Sequence, residues 1–464
     1  MSDTISDAGS FRDPSGHVFL VDDKVYRTVM PRAADDFEFV RSTGLIEELV
    51  SGGHLIPETI VDNDTLGTAA TGARYVLEHP RLPFVSYPYE WPFAALKAAA
   101  LHHLDVHLAA LEHGVNLSDA TAYNIQFCGA KPLFIDVLSF RRYREGEFWM
   151  GHRQFCEQFL NPLLLRSLVG VPHNSWYRGE LEGINAQWLS RMLPLRHKLS
   201  PNVLSHVVLQ ARFQTRSGSQ KQATHVVAKR QLPRTAFKHI LTGLKKWIAR
   251  LESGGRGETV WQAYAGDNTY APDEASRKHE FINTFAEAVT GGVVWDIGCN
   301  TGDYTSVALA AGVGTVIGFD YDHATLDLAF SRAQAKDLNF LPLYMDAANP
   351  PPSQGWAQGE RQGLAQRAKP DALIALALIH HLAISKNVPL PAVVDWLVDL
   401  APEGVIEFVQ KTDPMVRTLL QLREDVFDDY SEEAFVQAVE RRAELVRTET
   451  VSESGRRLFW YRRR

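Results

Sequence analysis

Two glycines, Gly298 and Gly302, close an apolar run that ends in an acid, reading Val294-Trp-Asp-Ile-Gly-Cys-Asn-Thr-Gly302. A turn of this kind joins a buried strand to a helix and lets a ligand approach the backbone where a side chain would clash. The runs that follow keep the same rhythm. Val293–Asp296, Val316–Asp320, Leu373–Leu378 and Val405–Val409 read as strands, and helical segments separate them. Strands that alternate with helices predict a parallel sheet of the α/β class. Asp296 stands at the carboxyl end of the first strand, where its charge suits a ligand bearing an ammonium group. Asp320 ends the second strand, about 20 positions after the glycine turn, and can accept from both hydroxyls of a ribose. A dinucleotide loop reads G-x-G-x-x-G, and a pyrophosphate would be repelled by Asp296.

With those residues in place, Asp296-Ile-Gly-Cys-Asn-Thr-Gly302 resembles motif I of class I S-adenosylmethionine-dependent methyltransferases. Asn300 stands where many members have a glycine, and Asn tolerates the left-handed backbone such a turn needs. The resemblance implies that Asp296, Gly298, Asn300, Gly302, Asp320, Asp346 and Ile379 bind S-adenosyl-L-methionine, with Asp320 on the ribose and Asp346 on the adenine amino group. It also implies a Rossmann-like sheet ending in a reversed hairpin, Ala443–Thr450 and Arg457–Tyr461, and a domain over 258–464. His380 and His381 follow the fourth strand and are either acceptor-positioning or general-base groups, or packed loop residues. Glu407 and Lys411, expected after the fifth strand, either touch substrate or pair on the surface. Trp261, Tyr264, Tyr270, Lys278 and Phe281 either close over the site or pack a helix on the sheet, and 413–430 is expected to form a lid. As a whole the arrangement is similar to bacterial methyltransferase-like proteins related to a rhizobial nodulation protein, which says little about the methyl acceptor.

The N-terminal half differs. The first sixteen residues are polar and are expected to be disordered, and they lack the features of a signal peptide. His17–Leu20 and Val25–Val29 read as strands around Asp22-Asp23, and 91–113 as a helix stopped by Gly114. Ile125–Phe127 and Leu133–Ile135 read as a hairpin around Gly129, and 141–170 as mostly helical. Asp119 precedes Asn124 by five positions, and Asp136 follows the hairpin. This spacing resembles the catalytic loop and metal-binding segment of kinase-like phosphotransferases. By that resemblance Asp119 would orient a hydroxyl, Asn124 and Asp136 would hold Mg²⁺ beside ATP, and 1–205 would be an α+β kinase-like domain. The template's Gly-rich cover is not recognisable, and its phosphate-binding lysine has only Lys24, Arg27 and Arg32 as candidates.

Between the halves, 206–257 reads as a basic linker and amphipathic helix, with Phe237, Ile240, Leu241, Leu244, Trp247, Ile248 and Leu251 on one face. That face can pack on a domain or make peripheral membrane contact. A net charge of −7 argues against a nucleic-acid partner. The three cysteines, Cys128, Cys156 and Cys299, form no C-x-x-C pair, which excludes a disulfide scaffold and a cysteine-based zinc site, and they suit a reducing cytoplasm. The resulting expectation is a cytoplasmic methyltransferase acting on an unidentified acceptor, with the N-terminal domain recognising that acceptor or a partner. The alternatives are a regulatory protein that holds S-adenosylmethionine without turnover, and a bifunctional kinase–methyltransferase.

Overall fold

The structure, a computed structural model, describes residues 5–216, 231–254, 272–367, 369–421 and 424–464. Trp261, Tyr264 and Tyr270 lie outside the described residues, as does most of the polar stretch 214–224. Two units emerge from the packing. One comprises Met1–Phe127, Pro132–Arg256 and Gln354–Arg361, and the other Cys128–Lys131, Gly257–Ser353 and Gln362–Arg464.

The first unit opens with an antiparallel sheet. Its strands are β1 (Ile5–Ser6), β2 (Val18–Val21), β3 (Lys24–Val29), β4 (Thr59–Val61) and β5 (Tyr75–Pro80), in the order β1-β2-β3-β5-β4. The β2–β3 turn works because Asp22 takes a φ of 53°, which Asp tolerates better than most residues. Of the first sixteen residues expected to be disordered, 5–16 are instead built in, and 1–4 lie outside the described residues. Ile5 pairs with Leu20, and a 3-10 helix follows at Ala8–Arg12, capped by the Asp7 carboxylate accepting from Gly9 N at 2.8 Å. Composition misleads here because short local caps, rather than apolar burial, order these residues.

A helix at Phe93–Glu112 runs through the unit's core. It is buried on more than one face, since His102, His103 and His107 are buried with Leu96, Leu104 and Leu111. Strand β6 (Val115–Leu117) leads into the Asp119 loop, and β7 (Ile125–Cys128) and β8 (Lys131–Phe134) form the hairpin, turned by Gly129 at φ 57°. β9 (Phe140–Arg142) pairs back onto β6, so helix replaces strand only from His152. The stretch expected as linker and amphipathic helix contributes helices to this unit. In the helix Arg234–Ala249, Phe237, Leu241, Leu244 and Ile248 are buried. Lys238 and Lys245 pair with Glu112 and Asp105 of the Phe93–Glu112 helix, so the packing face points at that helix.

The second unit is a seven-stranded sheet. Its strands are β10 (Val293–Ile297), β11 (Thr315–Asp320), β12 (Phe340–Tyr344), β13 (Ala372–Ala375), β14 (Glu403–Phe408), β15 (Ala443–Thr450) and β16 (Arg457–Arg463). The order is β12-β11-β10-β13-β14-β16-β15. The first five strands are parallel, and β16 runs antiparallel between β14 and β15. The reversed hairpin expected from the sequence is therefore present. Val294, Ile317, Leu341, Ile374 and Val405 are almost wholly inaccessible, as strands covered on both faces should be. Among the described residues no helix is long and apolar enough to cross a membrane.

Candidate functional site

In the second unit, the carboxyl ends of β10, β11, β13 and β14 gather the residues singled out above. Open α/β sheets bind ligands at that edge, where the strand order reverses. The turn after β10 holds Gly298, Asn300 and Gly302 at φ 88°, 49° and 82°. Asn300 donates its backbone N–H to Asp320 Oδ2 at 2.8 Å, and its own Oδ1 accepts from Thr301 N at 2.7 Å. Asp320 Oδ1 accepts from Asp322 N at 2.8 Å. Tyr321 N also bonds this carboxylate, and three backbone bonds leave acceptor capacity among its four lone-pair sites for a ribose hydroxyl. A Cβ built on Gly298 meets only Leu376 O, at 3.5 Å, so the space above that glycine is open. These observations fit S-adenosylmethionine.

Asp296 lies beneath the turn, buried, with Oδ2 accepting from Thr305 Oγ1 at 2.6 Å. Burial pushes its acid up to about 7, the Thr305 bond opposing and the Asp320 charge adding. Burial also raises the Asp320 acid. Asp346 is half-buried past β12, where Oδ1 accepts from Ala348 N at 3.0 Å and Lys386 Nζ stands 3.7 Å from Oδ2.

Beyond β13 the chain turns through Ala377, a non-glycine at φ 50°. Such a conformation costs about 1–2 kcal/mol. A bond from Ala377 N to Glu407 Oε2, 2.8 Å long, secures it. Glu407 is wholly buried and lies inside β14 rather than after it. It accepts from buried Lys278 Nζ at 2.8 Å, and Arg456 Nη1 stands 4.0 Å from its other oxygen. Arg456 in turn binds Asp413, Nε to Oδ2 at 2.8 Å. This network fixes the loop bearing Ile379, His380 and His381. Ile379 and His380 are buried, and the two imidazoles lie 4.1 Å apart. Burial lowers both histidines, His381 to about 4, so both are neutral at pH 7. Lys411 pairs with Asp425 at 2.9 Å, and the expected lid begins as a helix, Pro414–Gln421. Arg456 escaped the sequence reading, because nothing local marks a residue that meets its partners from 43 and 49 positions away.

The first unit holds a second constellation. Asn124 Nδ2 donates to Asp119 Oδ1 at 3.1 Å. Arg27 on β3 reaches Asp136 with Nη1, 2.9 Å from Oδ1, and Asp13 with Nη2, at 2.6 Å. Of the three cations considered for this site, Lys24 pairs with Glu78 and Arg32 is exposed. Burial first, then the charges of Asp136 and Asp13, push Asp119 up to about 7, while Arg27 opposes them. These residues line a cavity of about 790 Å³ whose wall also includes Arg12, Tyr123, Glu360 and Arg361. The wall is tied by Arg12 to Glu360 at 2.8 Å and by the Arg361 guanidinium 4.1 Å over the Tyr123 ring.

No protein-family model matches the chain. Among solved structures, it is similar to magnesium protoporphyrin IX methyltransferase (ChlM) from Synechocystis PCC 6803 with bound SAM. That likeness has 19% identity and a TM-score of 0.30, over 48% of this chain and 92% of that one. It is also similar to N-methyltransferase NodS from Bradyrhizobium japonicum WM9, with 12% identity and a TM-score of 0.31, over 41% of this chain and 97% of that one. Nodulation protein NoeA of Rhizobium meliloti (strain 1021) is 46% identical over 457 residues, spanning 98% of this chain and 96% of NoeA. Identity at that level through both units leaves no room for a shared fragment alone, and the chain belongs to the NoeA family.

Proposed function

We propose that the chain is an S-adenosylmethionine-dependent methyltransferase whose acceptor binds beside the β13 loop. The observation that carries this reading is the meeting of the Gly298 opening with the Asp320 carboxylate on one sheet edge. Asp320 would hold the ribose hydroxyls and Asp346 the adenine amino group. Asp296 would face the methionine ammonium, and Ile379 would cover the apolar side of the site. S-adenosylmethionine, when bound, supplies a sulfonium-activated methyl group for in-line transfer. The chain's part is to align the acceptor and keep water out. Neutral His380 and His381 can position an acceptor, and His381 can take a proton from one whose own acidity is raised in the site. Calorimetry with S-adenosylmethionine and its demethylated product, followed by labelled-methyl transfer in cell extract, tests the reading. Binding without transfer to any extract component would favour a regulatory role, and no binding would overturn the proposal.

For the first unit, the pairing of Arg27 with Asp136 above Asp119 and Asn124 favours a kinase-like site that recognises the acceptor or a partner. In that template a strand-β3 cation serves the phosphates, and the acid after the hairpin serves the metal. Here the cation is an arginine and is paired with two acids. Asn124 and Asp136 would offer oxygens to Mg²⁺. Titration of the full chain with Mg²⁺-ATP tests this, with Asp136→Asn expected to lose binding.

A further inference from the structure

The helical run that starts at His152 carries Cys156 one turn later, and residues four apart share a face. A second helical stretch, Leu204–Arg216, presents His206 and Gln210 at the same spacing. The two faces meet. His152 Nε2 lies 3.0 Å from His206 Nδ1 and 3.7 Å from Cys156 Sγ, and all three ligand atoms lie within 4.8 Å of one another. We propose that His152, Cys156 and His206 form a zinc-binding site.

Tetrahedral zinc, with Zn–N near 2.0–2.1 Å and Zn–S near 2.3 Å, separates its ligands by about 3.4 Å for N···N and about 3.6 Å for N···S. The observed separations, 3.0 Å and 3.7 Å, lie within about 0.4 Å of those values, which small side-chain rotations supply. Two imidazoles and a thiolate are a borderline-soft donor set suited to zinc. The missing C-x-x-C pair, taken above to exclude a cysteine-based zinc site, does not bear on this set, because the cysteine comes as H-x-x-x-C and its partner histidine lies about 50 positions further along.

A buried polar atom speaks for the same arrangement. Gln210 Nε2 is 2.9 Å from His152 Nδ1, while Gln210 Oε1 is buried with no partner. Exchanging the amide oxygen and nitrogen places Oε1 on Nδ1, which must then carry the proton. His152 Nε2 then becomes a lone pair aimed at His206 Nδ1. That lone pair is open to a metal ion, and the Nδ1–H to Oε1 bond orients the ring. This is the outer-shell contact that orients a metal-bound histidine. Both helical stretches also carry π-helical turns, Cys156–Leu160 and Leu204–Val208, a distortion that often marks functional positions. His152 and His206 are half-buried, which leaves an entry path, while Cys156 is buried. Binding exchanges the Cys156 S–H bond for a Zn–S bond and releases one proton.

The test is a Co²⁺ titration of the full-length chain, reduced and stripped with chelator, in a Cys128→Ser background that removes the exposed thiol. One equivalent of Co²⁺ should give a thiolate-to-cobalt charge-transfer band and the visible bands of tetrahedral cobalt, both displaced by Zn²⁺. Cys156→Ser should abolish the charge-transfer band. His206→Ala and Gln210→Ala should each weaken Co²⁺ binding, Gln210→Ala by about 10–100-fold as for outer-shell partners. If Cys156→Ser does not fold, the two other variants decide. The absence of any thiolate band, its survival in Cys156→Ser, or unchanged affinity in both His206→Ala and Gln210→Ala overturns the proposal.

Discussion

Gly298 and Gly302 occupy one turn for different reasons. An added Cβ at Gly302 would lie 2.6 Å from Phe340 Cε1, whereas one at Gly298 points into open space. Gly298→Val should therefore abolish S-adenosylmethionine binding in calorimetry and lower stability by only about 1–2 kcal/mol, the cost of its left-handed backbone. Gly302→Val should lower the melting temperature far more. Equal melting temperatures would refute this division of roles. Asp320→Ala should weaken cofactor binding by about 1.5–3 kcal/mol, the scale of hydrogen bonds to a charged group. Unchanged affinity would remove the ribose assignment. Asp296 adds a pH signature. Its folded acid sits near 7, above the ordinary carboxylate value. Free-protein stability should therefore fall as pH rises from about 4 through 7, where the unfolded chain has already lost this proton. Affinity for an ammonium-bearing ligand should rise across the same upper range as the carboxylate ionises. Calorimetry at pH 6 and pH 8 should show the increase, and Asp296→Asn should flatten it.

Among the elements, the β13 loop and the β15–β16 hairpin depend on one buried ion network. Glu407 satisfies Ala377 N and Lys278 at once, and Arg456, in the segment between β15 and β16, ties Asp413 beside it. Removing one partner of a buried pair costs about 3–5 kcal/mol, because the other charge is left uncompensated. Lys278→Met should show that loss in urea denaturation, and Lys278→Met with Glu407→Gln should recover much of it. A double variant as unstable as the single would contradict the pairing. This network also marks the limit of legibility. The glycine turn, Asp320 and the reversed hairpin were readable because their signals are local: a φ demand, a strand-end acid, an alternating run. Lys278, Glu407, Asp413 and Arg456 come together only when the sheet forms. The same holds in the first unit, where β3 could be read from Val25–Val29 but the choice of Arg27 over Lys24 depends on which face of the strand looks at Asp136.

For the whole molecule, the expectation is one efficient chemistry and one recognition site. Incubated with ATP, Mg²⁺ and a panel of hydroxyl compounds, the full chain should show phosphoryl transfer far below an ordinary kinase rate, since Arg27 is held by Asp13 and Asp136. Rapid turnover lost in Asp119→Asn would make the protein bifunctional. The division of the chain has one more consequence. Gln354–Arg361 belongs to the first unit although it is encoded about 100 residues after that unit's preceding segment ends. On the ribosome, at about 5–20 residues per second, the first unit must wait roughly 5–20 seconds for its last piece. During that interval Arg12 has no Glu360 and Tyr123 has no covering guanidinium. Nascent chains arrested before residue 354 should be cleaved by protease around Asp7–Asp13, and chains arrested far enough beyond 361 for it to emerge should resist, which makes the birth order of the polypeptide part of how its cavity is closed.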